Sequence, residues 1–336
     1  MENSKLDDFR NSSDSIADKA VLELIKNDGH KAVYNFIATN RYNAQKIDSQ
    51  SFPQLAALNN SVHQIPEWLD QKKMELASRL FEKYMPEILH TLGFLSLPYC
   101  YAASDGARVL ALSKKISENP EKRLRDTATF VLELLSPDAF EQSGKGFASI
   151  LNTRLIHAAT RYSILKSGQW KPGWGMPINQ EDQAGTLLSF SYMVLKGLQK
   201  MQVNPSTSEQ DAYLHFWAVC GLRLGIMPEL IFLGKDENKA LEMAIRQRHF
   251  RESEHGQFLT KVLLDYYRSQ TPSIYPAQWA ESQMANLLGP QVAEYLGITK
   301  DDQALKAVPK GLFPLIMKLQ MGSNTKSAKI KMAERK

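Results

Sequence analysis

Arg154-Leu-Ile-His157-Ala-Ala-Thr-Arg161 sets one histidine between two arginines, three residues before it and four after it. At 3.6 residues per turn those positions fall nearly in line on one helical face. The stripe is otherwise apolar, running from Ile150 through the trio to Ile164 and Leu165. Two permanent cations on a core-facing stripe are costly unless something anionic, metallic or hydrogen-bonding meets them. Two readings are open. In one, the arginines join an inter-helix network with Asp126 upstream, and His157 is a hydrogen-bonded core histidine. In the other, the face serves a site. A neutral imidazole on a helix is a standard axial ligand of haem iron, and Arg154 and Arg161, one turn away, suit haem propionates.

Outward from this stretch the punctuation is helical throughout. Asn119-Pro120-Glu121 is a start signal with a cap, a proline at the first helical position and an acid at the positive end of the dipole. It predicts a helix to Leu135, and the His157 helix should end near Ser167-Gly168. Asn179 caps the next, whose first turn Gln180-Glu-Asp182 is acidic. Apolar spacing predicts further helices at about 15–26, 208–224, 239–251, 254–268, 276–288 and 290–296. After Pro66 another begins, breaks at Pro86 and resumes over 87–97. The polar stretch 40–62 reads as a long loop. Alternating strand patterns and internal repeats are missing, so the expectation is all-α, one large multi-helix domain over 14–318. A disordered end (1–13) precedes it and a basic tail (319–336) follows.

Composition narrows the function classes. The 336-residue chain is 43% hydrophobic and 23% charged, with a formal charge of +5. Much of that charge lies in the tail, where Lys326, Lys329, Lys331, Arg335 and Lys336 face only Glu334. The rest is close to neutral, which argues against a nucleic-acid groove. Behind Phe313-Pro-Leu-Ile-Met-Lys-Leu, the basic tail admits a weak peripheral contact with an anionic membrane. Cys100 and Cys220 sit in apolar runs and read as small buried hydrophobes, without a disulfide framework. With a polar N-terminus and no apolar run of spanning length, the expected compartment is the cytoplasm.

Three other constellations carry possible chemistry. Arg123, Asp126 and Thr127 fall at zero, three and four, a second polar set on one helical face. Glu87-Ile-Leu-His90 and Glu252-Ser-Glu-His255 each place a carboxylate and an imidazole at i and i+3, the arrangement two helices of a di-iron bundle use. Further ligands for such a site are not evident. Trp170-Lys-Pro-Gly-Trp174-Gly-Met-Pro177 is a loop that packs its own aromatics onto the body or walls a pocket. Walker, dinucleotide, nucleophile-elbow and His-Glu-x-x-His signatures do not occur.

Taken together, Arg154 to Arg161, Pro177-Ile-Asn-Gln-Glu-Asp182, Gly185-Thr-Leu-Leu-Ser-Phe-Ser191 and Arg123-Leu-Arg-Asp-Thr127 resemble the latex-clearing-protein/MpaB-type oxygenase family. The opening Asp14-Ser-Ile-Ala-Asp18 is similar as well. The resemblance implies a globin-like core binding haem b, with His157 as proximal iron ligand and Arg123, Thr127 and Arg161 around the pocket. It also implies O2 as co-substrate and a small apolar, isoprenoid or alkene substrate cleaved at a carbon–carbon double bond. Asp126 then falls on the distal side with Thr127. Rubber-cleaving members carry a lysine directly before the threonine, where this chain has Asp126. They also carry an upstream glutamate, and the stretch 104–113 here offers only Asp105. These departures and the lack of a secretion signal argue against extracellular rubber cleavage. They leave open a non-catalytic haem or gas-binding protein, as well as the di-iron oxidase.

Overall fold

The computed structural model describes residues 3–29, 31–113, 120–271 and 275–306. Among these residues no β-strand occurs; one isolated antiparallel bridge joins Ala103 to Phe250. The helices in order are α1 (Asn3–Arg10), α2 (Ser15–Asp28), α3 (Ala32–Thr39), α4 (Pro53–Val62) and α5 (Gln71–Thr91). A π-helical turn at Leu92–Ser96 leads to α6 (Leu97–Ala102), α7 (Ser104–Leu112), α8 (Pro120–Leu135) and α9 (Gly146–Lys166). Then follow α10 (Gln180–Phe190), α11 (Tyr192–Lys200), α12 (Thr207–Arg223), α13 (Lys235–His249) and α14 (Glu254–Gln270). The last three are α15 (Trp279–Leu288), α16 (Pro290–Tyr295) and α17 (Asp302–Lys306).

α12 is the centre. Every residue from Ala212 to Gly221 is buried, so it has no polar face, as a helix surrounded by others requires. Ser206 and Glu209 close a capping box at its start. It packs along α5, whose own start is capped by Asp70. The expected break at Pro86 is instead a kink: α5 continues to Thr91, with Tyr84 displaced to φ −120°, ψ 25°. A proline lacks the N–H and crowds the preceding turn, but the buried run Ile88–Thr91 keeps the axis going.

Two further expectations change. The stretch read as a loop contains α4, whose Leu55, Leu58 and Val62 are buried against α2 behind Pro53 at the first turn. Its intervening polar residues masked that three-residue stripe. Residues 1–13, expected as a disordered end, contain α1, with Leu6 and Phe9 in the core. The basic tail from 319 lies outside the described residues. No described helix is long and apolar enough to cross a membrane.

Candidate functional site

α8 and α9 form the hairpin that carries the sequence-predicted residues. Residues 136–145 turn the chain back, and Glu133 ties the connected ends by accepting from Ser149 and pairing with Lys145 at 3.6 Å. At that end α8 buries Val131, Leu134 and Leu135. Along the rest of α8, Arg123, Leu124, Thr127, Ala128 and Phe130 are only half-buried. The face of α9 continuing from Ser149 through Thr153, Ile156 and Thr160 is likewise half-buried, and His157 lies beside it. At 1.5 Å per residue His157 sits about 12 Å from the Ser149 junction, between the levels of Thr127 and Arg123 at about 9 and 15 Å. The hairpin is thus closed at one end. Its other half presents an imidazole, a hydroxyl and a guanidinium on incompletely covered faces.

The two arginines that flank His157 have other work. Arg154 is 2% exposed and meets Asp14 in a bidentate pair, Nε to Oδ2 at 2.7 Å and Nη2 to Oδ1 at 2.8 Å. Its Nη1 donates to Ser61 Oγ at 2.7 Å and to the Arg223 carbonyl at 3.2 Å. Asp14 also caps α2, accepting from the Ala17 amide at 3.2 Å. Gly225, at φ +82°, closes over the pair: a Cβ there would lie 2.7 Å from Asp14 Oδ2 and 2.8 Å from Arg154 Nη2. Arg161 donates from Nε to the Pro177 carbonyl and from Nη2 to the Ile178 carbonyl, each at 2.9 Å, and from Nη1 to Asp18. Ile178 holds a φ of +53°, a conformation that costs a branched residue energy unless its surroundings fix it. Asn179 completes the turn by capping α10 through the Asp182 amide at 2.8 Å.

An inter-helix network does hold both arginines, but its acids are Asp14 and Asp18 and not the Asp126 that the sequence reading named. Asp126, expected beside the pocket, is exposed and pairs with Lys122 at 3.4 Å one turn away. A carboxylate with a lysine four residues before it finds its counter-ion in water. Thr127 donates to the Arg123 carbonyl at 2.9 Å, which leaves its oxygen free to accept. The Nε of Arg123 is buried and has no acceptor among the described residues.

Sequence reading missed a second buried charge cluster. Glu181, fully buried, accepts from Arg248 Nε at 2.8 Å, lies 2.9 Å from His249 Nε2 and stands 3.6 Å from Arg10. Arg10 also reaches Asp182 at 3.1 Å and Asp105 at 3.2 Å, and Arg251 meets Asp105 at 3.0 Å. Burial raises the Glu181 carboxyl, but His249 and Arg248 outweigh it and hold its pKa below the ordinary value. Burial leaves Asp182 raised in spite of Arg10. Asp105, the one carboxylate of its stretch, is thus a clamp between α7, α1 and Arg251. Only the acidic first turn of α10 hinted at this cluster.

The Glu-x-x-His pairs are not brought together. His90 is buried, stacked on Phe94 at 4.6 Å, with Gln283 Nε2 3.0 Å from its Nε2. His255 lies 3.5 Å from Arg108 on α7. No group of three His, Cys, Asp or Glu converges as a metal site among the described residues, which removes the di-iron reading. The tryptophan loop packs on itself and the body: Trp170 meets Trp174 edge-on at 5.2 Å, and the Arg108 guanidinium covers Trp174 at 3.8 Å.

A haem suits the residues that the α8–α9 hairpin leaves half-buried. They offer an imidazole on a helix pinned at two points, a buried Arg123 Nε with no acceptor among the described residues, and apolar Leu124, Ala128 and Phe130.

With this geometry the chain belongs to the family described as ER-bound oxygenase mpaB/B'/Rubber oxygenase, catalytic domain, whose model matches residues 96–317. The resemblance read from the motifs is borne out, and the family is one of oxygenases, hence oxidoreductases. A rubber oxygenase of Streptomyces sp. (strain K30) is 26% identical over 204 residues, 60% of this chain and 49% of that protein. The chain therefore spans about half the length of that relative. The solved structure of latex clearing protein LCP in the closed state matches with a TM-score of 0.74 at 20% identity, covering 93% of this chain and 84% of the other. That likeness shows the shared all-α fold.

Proposed function

We propose that the protein is a haem-b-dependent oxygenase acting with O2 on a small apolar, isoprenoid or alkene, substrate. The observation that carries this reading is the half-buried His157, set on a doubly clamped helix of the α8–α9 hairpin, whose partner helix leaves Arg123 and Thr127 half-buried as well. Bound haem would supply the activation of O2 needed to attack a carbon–carbon double bond.

The chain's own residues do the rest. His157 would hold the haem iron. Arg154 and Arg161 act on it through helix placement: their donors are committed to Asp14, Ser61, Asp18 and three carbonyls, so they set the depth and rotation of α9. Thr127 keeps a hydroxyl oxygen able to accept, and Arg123 a buried donor able to meet an anionic or carbonyl group. Leu124, Ala128 and Phe130, half-buried on the same helix and packed against the core, would give a hydrocarbon chain apolar surface to meet. Asp126 has no part in the pocket.

The test is turnover. Haem-loaded protein supplied with O2 and an isoprenoid alkene should yield carbonyl fragments, and His157→Ala should yield none. Haem-loaded wild type that binds O2 reversibly and leaves every alkene intact would make it a gas-binding protein instead.

A further inference from the structure

Arg10, the last residue of α1, lies across the turn that faces Arg161. Its Nη2 donates to the Trp174 carbonyl at 3.0 Å, and its Nη1 donates to Asp182 Oδ1 at 3.1 Å. One guanidinium thus spans both ends of the stretch 174–182. The backbone adds two bonds: the Arg10 carbonyl accepts from the Met176 amide at 3.0 Å, and the Ser12 carbonyl accepts from the Gln180 amide at 2.9 Å. Gly175, at φ +76°, lets the segments approach. A Cβ there would stand 2.6 Å from Arg10 Cγ and 2.8 Å from the Arg10 carbonyl oxygen.

Between those anchors lie the carbonyls of Pro177 and Ile178, to which Arg161 donates. Ile178, at φ +53°, keeps that conformation only where its surroundings over-determine it. Inside the turn, Asn179 Nδ2 donates to the Met176 carbonyl at 2.9 Å and to Asp182 Oδ2 at 2.8 Å. Asp182 is in turn the carboxylate that Arg10 holds. Arg161 stands about one helical turn beyond His157 on α9, so whatever fixes these two carbonyls fixes that helix. A turn free to relax at Ile178 would carry them away from the Arg161 fork.

We propose that Arg10 is a positioning residue for the His157 helix: it holds the 174–182 turn at both ends, and the turn holds Arg161. Arg10 is also a counter-ion to Asp105 and Asp182, a duty that its charge alone fulfils. The grip on the turn needs the planar fork, because one nitrogen meets a carbonyl while another meets a carboxylate. That His157 holds haem iron rests on the oxygenase reading; the grip on α9 does not.

The experiment compares Arg10→Lys, which keeps the charge and loses the fork, with Gly175→Ala, which presses a Cβ onto Arg10. The two act independently, so one that fails to fold leaves the other to decide. Leu287→Ala is the control. It cuts the core under α15, which packs on α6, α14, α16, α17 and the π-helical turn. Two quantities are read: amide hydrogen exchange of the haem-free full-length protein, and transfer of haemin from the loaded protein to excess apomyoglobin. Both turn variants should exchange about tenfold faster over 176–182 and at the Arg161 end of α9, and should release haemin about tenfold faster. Leu287→Ala should lower the melting temperature and match wild type in both readouts. Unchanged α9 exchange in the turn variants overturns the proposal, as does equal acceleration in Leu287→Ala, which would be a mere loss of stability. Faster α9 exchange with unchanged haemin release keeps the grip and tells against His157 as the iron ligand. A wild type that takes up no haemin defeats the oxygenase reading, and α9 exchange then decides the grip alone.

Discussion

Arg154 and Asp14 meet as a buried bidentate pair at 2.7 and 2.8 Å, although 140 residues separate them in the chain. Asp14 caps α2, so one carboxylate fixes both the start of α2 and the rotation of the helix that carries His157. Removing either partner strands a charge in the interior. Arg154→Met should destabilise the fold by about 3–5 kcal/mol, and Asp14→Asn by a similar amount. Chemical denaturation of each variant measures this. A loss under about 1 kcal/mol would mean that the pair does not place α9.

Gly225 tests the same pair without touching it. An added Cβ would press on Asp14 Oδ2 and Arg154 Nη2, and φ +82° already disfavours any side chain. Gly225→Ala should cost about 1–3 kcal/mol, read from the shift in melting temperature. No shift would show that the loop after α12 yields freely.

Asp126 separates the surface from the site. It is exposed and paired only with Lys122. Asp126→Ala should change stability by less than about 0.5 kcal/mol and leave haemin affinity unaltered. A tenfold change in binding would put Asp126 back beside the pocket.

His90 makes the fold acid-sensitive. Burial lowers its pKa from the ordinary 6.5 to about 3, so the folded state keeps it neutral while the unfolded chain protonates it. An amide NH2 only donates, so His90 Nε2 accepts from Gln283 and protonation there breaks the contact. Stability from this group is present above pH 6.5. Between that pH and about 3 it falls by ~1.4 kcal/mol per unit. Glu181 adds a loss lower down: its pKa is depressed below 4.5, so its contribution disappears as pH drops through the folded value. His90→Gln should flatten the slope of unfolding free energy between pH 6 and 5. An unchanged slope would remove His90 as its source.

The helices were legible where apolar spacing and caps agreed, as at Ser15, Pro120, Asn179 and Glu254. α4 was not, because its core stripe has three members among polar neighbours. The all-α class and the family could be read from a handful of motifs. The assignment of partners could not. Arg154 and Arg161 were legible as buried charges, but their acids lie more than a hundred residues away, on α2 and its cap, where only folding brings them. Helical spacing put Asp126 with Arg123 and Thr127, yet a lysine at i−4 and open solvent keep it on the surface. Glu181 was legible only as an acid complementing a helix start and is the centre of a buried cluster, since a helix start does not reveal which neighbours cover it.

The most direct test of the central claim is an optical titration of the purified full-length protein with haemin. The account predicts a Soret band that saturates at one haem per chain in wild type and is lost in His157→Ala, with far-ultraviolet circular dichroism unchanged. A wild type that takes up no haem, or a His157→Ala variant that saturates with the same band and affinity, contradicts it.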